Sequence, residues 1–201
     1  MKISDLITRV GNDVRRTDVS ADASSAVCEA LRHYGNRPWW FNESTGTFTT
    51  TASVGAYLLP SNMKRINYVE VQRSSGEWLE VYHYHIDQIQ QKNEGINHTG
   101  YPEYYTVYGQ EMRLAYIPDT QYLVRYFYEQ KPENLSASAS NVFTMNLEPV
   151  IRSRAAWLIA KGILHDGELA QHYKDMEIDS YASLEREHEQ YVGSGKIKPW
   201  R

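Results

Sequence analysis

Apolar positions set the first boundaries. Between Ser20 and Gly35, residues Val27, Ala30, Leu31 and Tyr34 recur at i, i+3, i+4 and i+7, the spacing of one helical face. Helical character extends over residues 4–35, with Ser4 and Ser20 as expected N-caps and Gly35 as an expected left-handed stop. The polar run from Gly11 to Asp18 carries no firm assignment. Near the other end, Leu147, Ile151, Leu158, Ile159 and Ile163 again keep roughly 3.6-residue spacing, with Trp157 beside them. Pro149 fits there only in a first helical turn. His165-Asp166-Gly167 breaks the pattern. A second helix then carries Ala170, Tyr173, Tyr181, Leu184 and Tyr191 on one stripe, with Glu185, Arg186, Glu187 and Glu189 facing away. Gly193-Ser194-Gly195 ends it.

The middle of the chain has a different texture. From Phe48 to Glu129 it is rich in Tyr, Val and Thr with turn signals between, which is strand composition. Ile66–Arg73 and Glu77–Ile86 read as two strands joined at Ser74-Ser75-Gly76. Tyr104–Tyr108, Met112–Ile117 and Gln121–Tyr128 read as three more, the last two separated by a Pro118-Asp119 turn. In the last strand Tyr122, Val124, Tyr126 and Tyr128 share one face, and Leu123, Arg125 and Phe127 the other. Ser136–Ser140 has linker composition. The expected fold class is α+β: a helical platform of N- and C-terminal helices with an inserted antiparallel β-sandwich or barrel-like body. The expected division is 1–43 with 136–192 for the platform, 44–135 for the insert and 193–201 for a C-terminal tail.

Composition narrows the function classes. The chain has 201 residues, 41% of them hydrophobic and 23% charged, which is ordinary for a folded protein. A chain of that length buries roughly 70% of its unfolded surface. It holds 16 Tyr against 4 Phe. Tyrosine offers large contact area with a polar tip, so this excess points to partly wet interfaces or to a Tyr-built β core. The net charge of −4 argues against a general DNA-gripping surface, which needs excess Lys and Arg. One cysteine, Cys28, allows no intrachain disulfide and no cysteine-based metal site, and its Ala-rich setting predicts a small buried residue. The first residues lack the apolar run of a signal peptide, and no stretch reaches transmembrane length, so the sequence predicts a cytoplasmic chain and no membrane partner. On that basis the sequons at Asn42, Asn97 and Asn134 are chance.

Four stretches then combine. They are Trp39-Trp40-Phe41-Asn42-Glu43 leading to Thr47-Phe48-Thr49-Thr50; Tyr57-Leu58-Leu59-Pro60 stepping into Ile66; Gly100-Tyr101-Pro102-Glu103-Tyr104-Tyr105 followed by Leu114–Asp119; and Tyr126-Phe127-Tyr128 running to Pro132 and Leu135. Their order, with helices on both sides, resembles the head-to-tail adaptor family of tailed bacteriophages, also called head-completion or tail accessory factors. The resemblance implies a virion protein of the neck, assembled in the host cytoplasm, with no catalytic role and no cofactor. Such proteins form a ring, usually twelvefold, beneath the portal protein after DNA packaging. The ring extends the DNA channel, lets DNA pass without sequence-specific binding, and receives the next tail or nozzle component before genome ejection. The implied portal and subunit interface lies on the last helix and tail: Tyr181, Leu184, Tyr191, Lys196, Ile197, Lys198, Trp200 and Arg201. Trp200 is the expected anchor of that tail. Trp39-Trp40-Phe41 reads as a staple packing the insert onto the helices, with a subunit contact as the competing use.

Two other readings come from the residues themselves. His83 and His85 are two apart on an expected strand, so both imidazoles share a face and suggest a cupin-like metal site. Such a site needs a glutamate a few residues on, and Ile89 and Gln90 stand there instead. Ring packing with Tyr82 and Tyr84 is the expected role. No nucleophile elbow, zinc-protease helix or phosphate-cradling glycine loop is present. A Tyr- and Trp-rich β-sandwich also suits carbohydrate binding, the second non-enzymatic class, though the flanking helices are foreign to free-standing modules of that kind.

Overall fold

The computed structural model describes residues 1–16, 18–94, 98–132 and 140–193. In chain order they form α1 (Ile3–Asp13), α2 (Ser20–Gly35), a 3-10 turn (Trp40–Asn42), β1 (Glu43–Thr49), β2 (Ala56–Leu58), β3 (Met63–Gln72), β4 (Trp78–Glu80), β5 (Tyr82–His83), α3 (Ile86–Glu94), β6 (Thr99–Gly100), β7 (Tyr104–Tyr108), β8 (Glu111–Ala115), β9 (Ile117–Pro118), β10 (Leu123–Gln130), α4 (Val142–Asn146), α5 (Glu148–Gly162) and α6 (Gly167–Gly193). The class is α+β, with helices at both ends of the chain. Two compact units follow from the contacts: Met1–Asn42 with Lys131–Arg201, and Glu43–Gln130.

The helical unit is built on one apolar cluster. Ile3, Leu6 and Val10 of α1, Val27, Ala30 and Leu31 of α2, and Ile151, Ala155, Ala156 and Ile159 of α5 are all at most 1% exposed. The face read from Val27 to Tyr34 is therefore the buried one. Fully burying each large aliphatic side chain contributes about 1.5–3 kcal/mol. The expected caps are displaced. α1 starts one residue before Ser4, and the Lys2 amide donates to the Asp5 carboxylate at 3.1 Å. Ser20 is the first residue inside α2, not its cap. Gly35 does end α2, but not by adopting a left-handed conformation. A Cβ there would sit 2.0 Å from Pro132 Cγ, so the glycine is required by close approach. Pro149 lies in the first turn of α5, and His165, with φ of 53°, carries the bend before α6. Cys28 is partly exposed, against the expectation of burial, because it sits beside the buried face of α2 and not on it.

The β unit holds two four-stranded sheets, ordered β1-β10-β3-β4 and β2-β8-β7-β5. Val69, Val71, Val124, Tyr126 and Tyr128 from the first meet Tyr105, Met112 and Leu114 from the second in one core. The alternation read along β10 holds: Val124, Tyr126 and Tyr128 face inward. Two features depart from the expected antiparallel body. The Glu77–Ile86 strand is split: after β4 pairs with β3, Val81 carries the chain across, and β5 pairs in parallel with β7. β6 and β9 form a second parallel pair. The other departure is α3, which packs on β7 and β8 through Ile89 where no helix was expected.

Candidate functional site

In the helical unit, α6 lies along α5 and turns one side outward. Leu184 is 5% exposed and belongs to the core, so it leaves little surface for a partner. Tyr181 is half-buried: its ring stacks on Tyr34 at 5.8 Å and meets Trp39 at 6.1 Å, while the Arg37 guanidinium sits 4.7 Å from its centroid. Tyr191 is 59% exposed and tilts over Trp40 at 6.1 Å. Trp40 also stacks on His188 at 6.0 Å. Trp39 is buried, its indole N–H donating to the Tyr34 carbonyl at 2.8 Å. Phe41 meets Phe143 at 6.0 Å. The aromatic triplet thus fastens the exit of α2 onto α4 and α6. Lys196, Ile197, Lys198, Trp200 and Arg201 lie outside the described residues, as do Asn97, Asn134 and the linker core.

A buried charge network holds this end of α6. Glu177 is 2% exposed and accepts from Arg154 at 2.9 Å, from Lys174 at 2.8 Å and from the Tyr34 hydroxyl. Burial alone would raise its carboxyl. The bonds from Lys174, Tyr34 and Arg154 outweigh that and hold it below its ordinary value. The Tyr34 phenol is pushed well up, first by burial and then by its bond to Glu177. Arg154, Lys161 and Lys174 also surround the Trp157 ring at 5.7, 5.0 and 5.0 Å. At the far side Arg152 forms a bidentate pair with Asp13, both bonds at 2.5 Å. Sequence spacing put Glu177 nowhere special. Its signal was only that it falls between Tyr173 and Leu184 on the stripe that proved to be buried.

Between α5 and α6 runs an open groove. One hollow of about 410 Å³ is lined by Asn146, Pro149, Val150, Asp179, Ser183 and Glu187, among others. An adjoining one of about 300 Å³ shares Pro149 and Ser180 with it and ends at Asp13, Arg152 and Met176.

The β unit offers aromatic surface. On the outer face of its first sheet the Arg125 guanidinium lies 4.1 Å from the Trp78 ring centroid and bonds to Glu70, which is 8% exposed. Tyr68, 38% exposed, meets Phe127 beside this pair at 5.9 Å. Leu58 (80% exposed) and Tyr108 (59%) flank Glu111, each paired with it in register. Tyr122 donates to Asp119 at 2.7 Å; burial and that bond push its phenol up to about 12. The two histidines go separate ways. His83 lies edge-on to Tyr105 at 5.3 Å, while His85 Nδ1 stands 3.1 Å from Asp87 Oδ2. Among the described residues no group of three or more His, Cys, Asp or Glu is placed to hold a metal ion. No described helix is long and apolar enough to cross a membrane.

Comparison with curated proteins returns no match. Both units present partly exposed aromatic rings framed by ion pairs, and the family comparison gives them a context: the model described as SU10 adaptor protein matches residues 1–196, so the chain belongs to this family of phage head–tail adaptors.

Proposed function

We propose that the chain is a neck subunit that docks on the portal ring after DNA packaging, extends the DNA channel and joins the head to the tail. The observation that carries this is the family match over residues 1–196, nearly the whole chain. Twelve identical copies form the ring through heterologous contacts, the only kind that closes a cycle of this order. Tyr181 and Tyr191 on α6 and the tail residues Lys196, Ile197, Lys198, Trp200 and Arg201 grip the portal and the neighbouring copy. Leu184 supports them from inside. The half-exposed aromatic rings with a flanking arginine, Arg37, have the composition of interface anchors. The exposed face around Trp78, Tyr68 and Arg125 receives the next tail component. A net charge of −4 suits a channel wall that lets DNA slide.

The test is native mass measurement of the purified protein alone and after mixing with a portal ring. A stoichiometric complex is expected, with binding weakened at least tenfold when the chain stops at Gly193. A chain that ignores the portal, yet binds a glycan or a metal through His83 and His85, would overturn the reading.

A further inference from the structure

The two flanks of the α5–α6 pair carry opposite charge. On α6, Tyr173, Glu177 and Leu184 are buried, and the residues on either side of them fall into two stripes. Lys174, Ile178, Tyr181 and Glu185 form one, at i, i+4, i+7 and i+11. Met176, Ser180, Ser183 and Glu187 form the other, at the same spacing two residues further on. At ~100° per residue the stripes stand about 200° apart, one to each side of the buried face.

The first flank is basic. Arg154 and Lys161 of α5 join Lys174 around the half-buried Trp157 ring. Burial and the charge of Arg154, then those of Arg37 and Lys174, lower the His33 imidazole from its ordinary value, so the same field reaches α2. Two carboxylates answer these four cations: Glu177, buried beneath them, and Glu185, paired with Arg37 at 3.2 Å. Lys161 is exposed and has no ion-pair partner among the described residues. Ile178, also exposed, gives this flank an aliphatic centre.

The second flank is acidic, and it is the open groove. Asp179 and Glu187 are exposed on its rim, and neither has an ion-pair partner among the described residues. The arginine that lines it, Arg152, is held by Asp13. Beyond Lys174, α6 has one further Lys or Arg, Arg186. Pro149 and the exposed Met176 supply apolar contact, and Ser180 and Ser183 keep the wall low. Opposite charges on opposite flanks cannot meet within one chain. A two-fold pairing of either flank with itself would set like charge against like. Head-to-tail contact between copies brings the two together, and that is the heterologous arrangement from which rings are built.

We propose that the basic flank of one copy, with Lys161, Lys174 and Ile178, docks in the acidic α5–α6 groove of a second copy, against Asp179, Glu187 and Met176. The partner is the chain itself. The proposal deepens the ring reading above and rests on it for closure of the ring only, because the pairwise contact is a property of two free chains.

The test uses the full chain without any portal, so its failure leaves portal docking standing, and a failure to bind the portal leaves this contact standing. Sedimentation equilibrium in low salt, up to about 1 mM chain, reads the association. The native chain is expected to associate beyond a dimer, since a head-to-tail contact leaves both ends open. Lys161→Glu and, separately, Asp179→Lys with Glu187→Lys each weaken association at least tenfold, with unchanged circular dichroism. An equimolar mixture of the two variants recovers association to within about threefold of native, because each reversed flank finds a reversed partner and each native flank a native one. If a variant fails to fold, raising the salt from about 0.05 to 0.5 M weakens association of the native chain at least tenfold. A chain that stays monomeric throughout, a closed dimer, indifference to charge and salt, or a mixture no better than its parts would overturn the proposal.

Discussion

The helical unit and the β unit bury their cores by different means. In the helical unit aliphatic residues do the work, and alanines at the meeting of α2 and α5 (Ala26, Ala30, Ala155, Ala156) let the helices approach closely. Polar groups enter that interior as a network around Glu177. In the β unit Tyr105, Tyr126 and Tyr128 join valines and leucines in the core, with further tyrosines packed at its edge, and a tyrosine brings a hydroxyl that needs a partner. Tyr57 donates to the Val54 carbonyl at 2.7 Å and Tyr101 to that of Val71 at 2.9 Å. Ring and hydroxyl together tie sheet to loop. The excess of tyrosine in the sequence therefore has two placements: wet-edged core in the β unit, and half-exposed rings on α6.

The comparison breaks most easily at Glu177. Replacing it by Ala leaves the guanidinium of Arg154 and the ammonium of Lys174 without their shared partner. Arg154 is only 15% exposed in its side chain, so the variant loses about 3–5 kcal/mol in urea unfolding. Amides of α5 and α6 lose hydrogen-exchange protection, while those of β10 keep theirs. Equal loss in β10 would mean that the two cores unfold as one. The carboxyl also sets a pH dependence. Its folded value lies below the ordinary 4.5, so its contribution is full above that pH and is lost as pH falls through the folded value. The stability gap between the native chain and Glu177→Ala is expected to narrow steadily on acidification below about 4.5.

Two glycines sharpen the contrast at a smaller scale. In Gly35→Ala the new methyl would sit 2.0 Å from Cγ of Pro132, a ring fixed to its own backbone. In Gly46→Ala it would sit 2.2 Å from Cζ of Tyr126, whose ring is hemmed in by Phe48 and Tyr128. Each overpacked site costs about 1–3 kcal/mol. Alanine's gain over glycine, about 0.5–1 kcal/mol in a helix or a strand, does not separate the two, so Gly35→Ala, set against a ring with no rotamer to turn, is the costlier in urea unfolding. The reverse order would show that Pro132 yields more easily than Tyr126 swings aside.

These sites also mark what was legible in the sequence. The helices were, because Val27, Ala30, Leu31 and Tyr34, and later Leu147, Ile151 and Ile159, repeat a period that only one face satisfies. β10 was legible by alternation as far as Tyr128, and β7 by its Tyr, Thr and Val composition. α3 was not. It buries one residue, Ile89, in the run Ile86–Glu94, and a single apolar contact leaves no periodicity to read. The crossing at Val81 was hidden for another reason: β5 pairs with β7, some twenty residues on, and no local pattern specifies a parallel partner. For the candidate interface, the aromatic character of Tyr181 and Tyr191 was readable, but burial of Leu184 was not separable from theirs on one stripe. Gly35 was flagged for the right position and the wrong cause, since close approach to Pro132 depends on residues nearly a hundred positions away.

The smallest expected effect bears on why so polar a helix as α3 stays in place. Lys92 points its ammonium at three tyrosine rings, 4.3 Å from the centroid of Tyr104, 5.7 Å from Tyr84 and 5.6 Å from Tyr116. Tyr84 and Tyr104 themselves stack at 4.3 Å. The cation thus closes the last turn of α3 over the rings, beside the Asn93 amide, which donates to the Leu114 carbonyl at 2.9 Å, while Ile89 is buried in its middle. Lys92→Met keeps the length of the side chain and its apolar contact but removes the charge, and Lys92→Arg keeps the charge. At a partly exposed site a cation over aromatic rings shifts an opening equilibrium by about two- to five-fold. Amides of α3 are therefore expected to exchange about two- to five-fold faster in Lys92→Met and at nearly the native rate in Lys92→Arg, with β10 unchanged in both. Equal exchange in all three chains would assign α3 to Ile89 and the Asn93 bond.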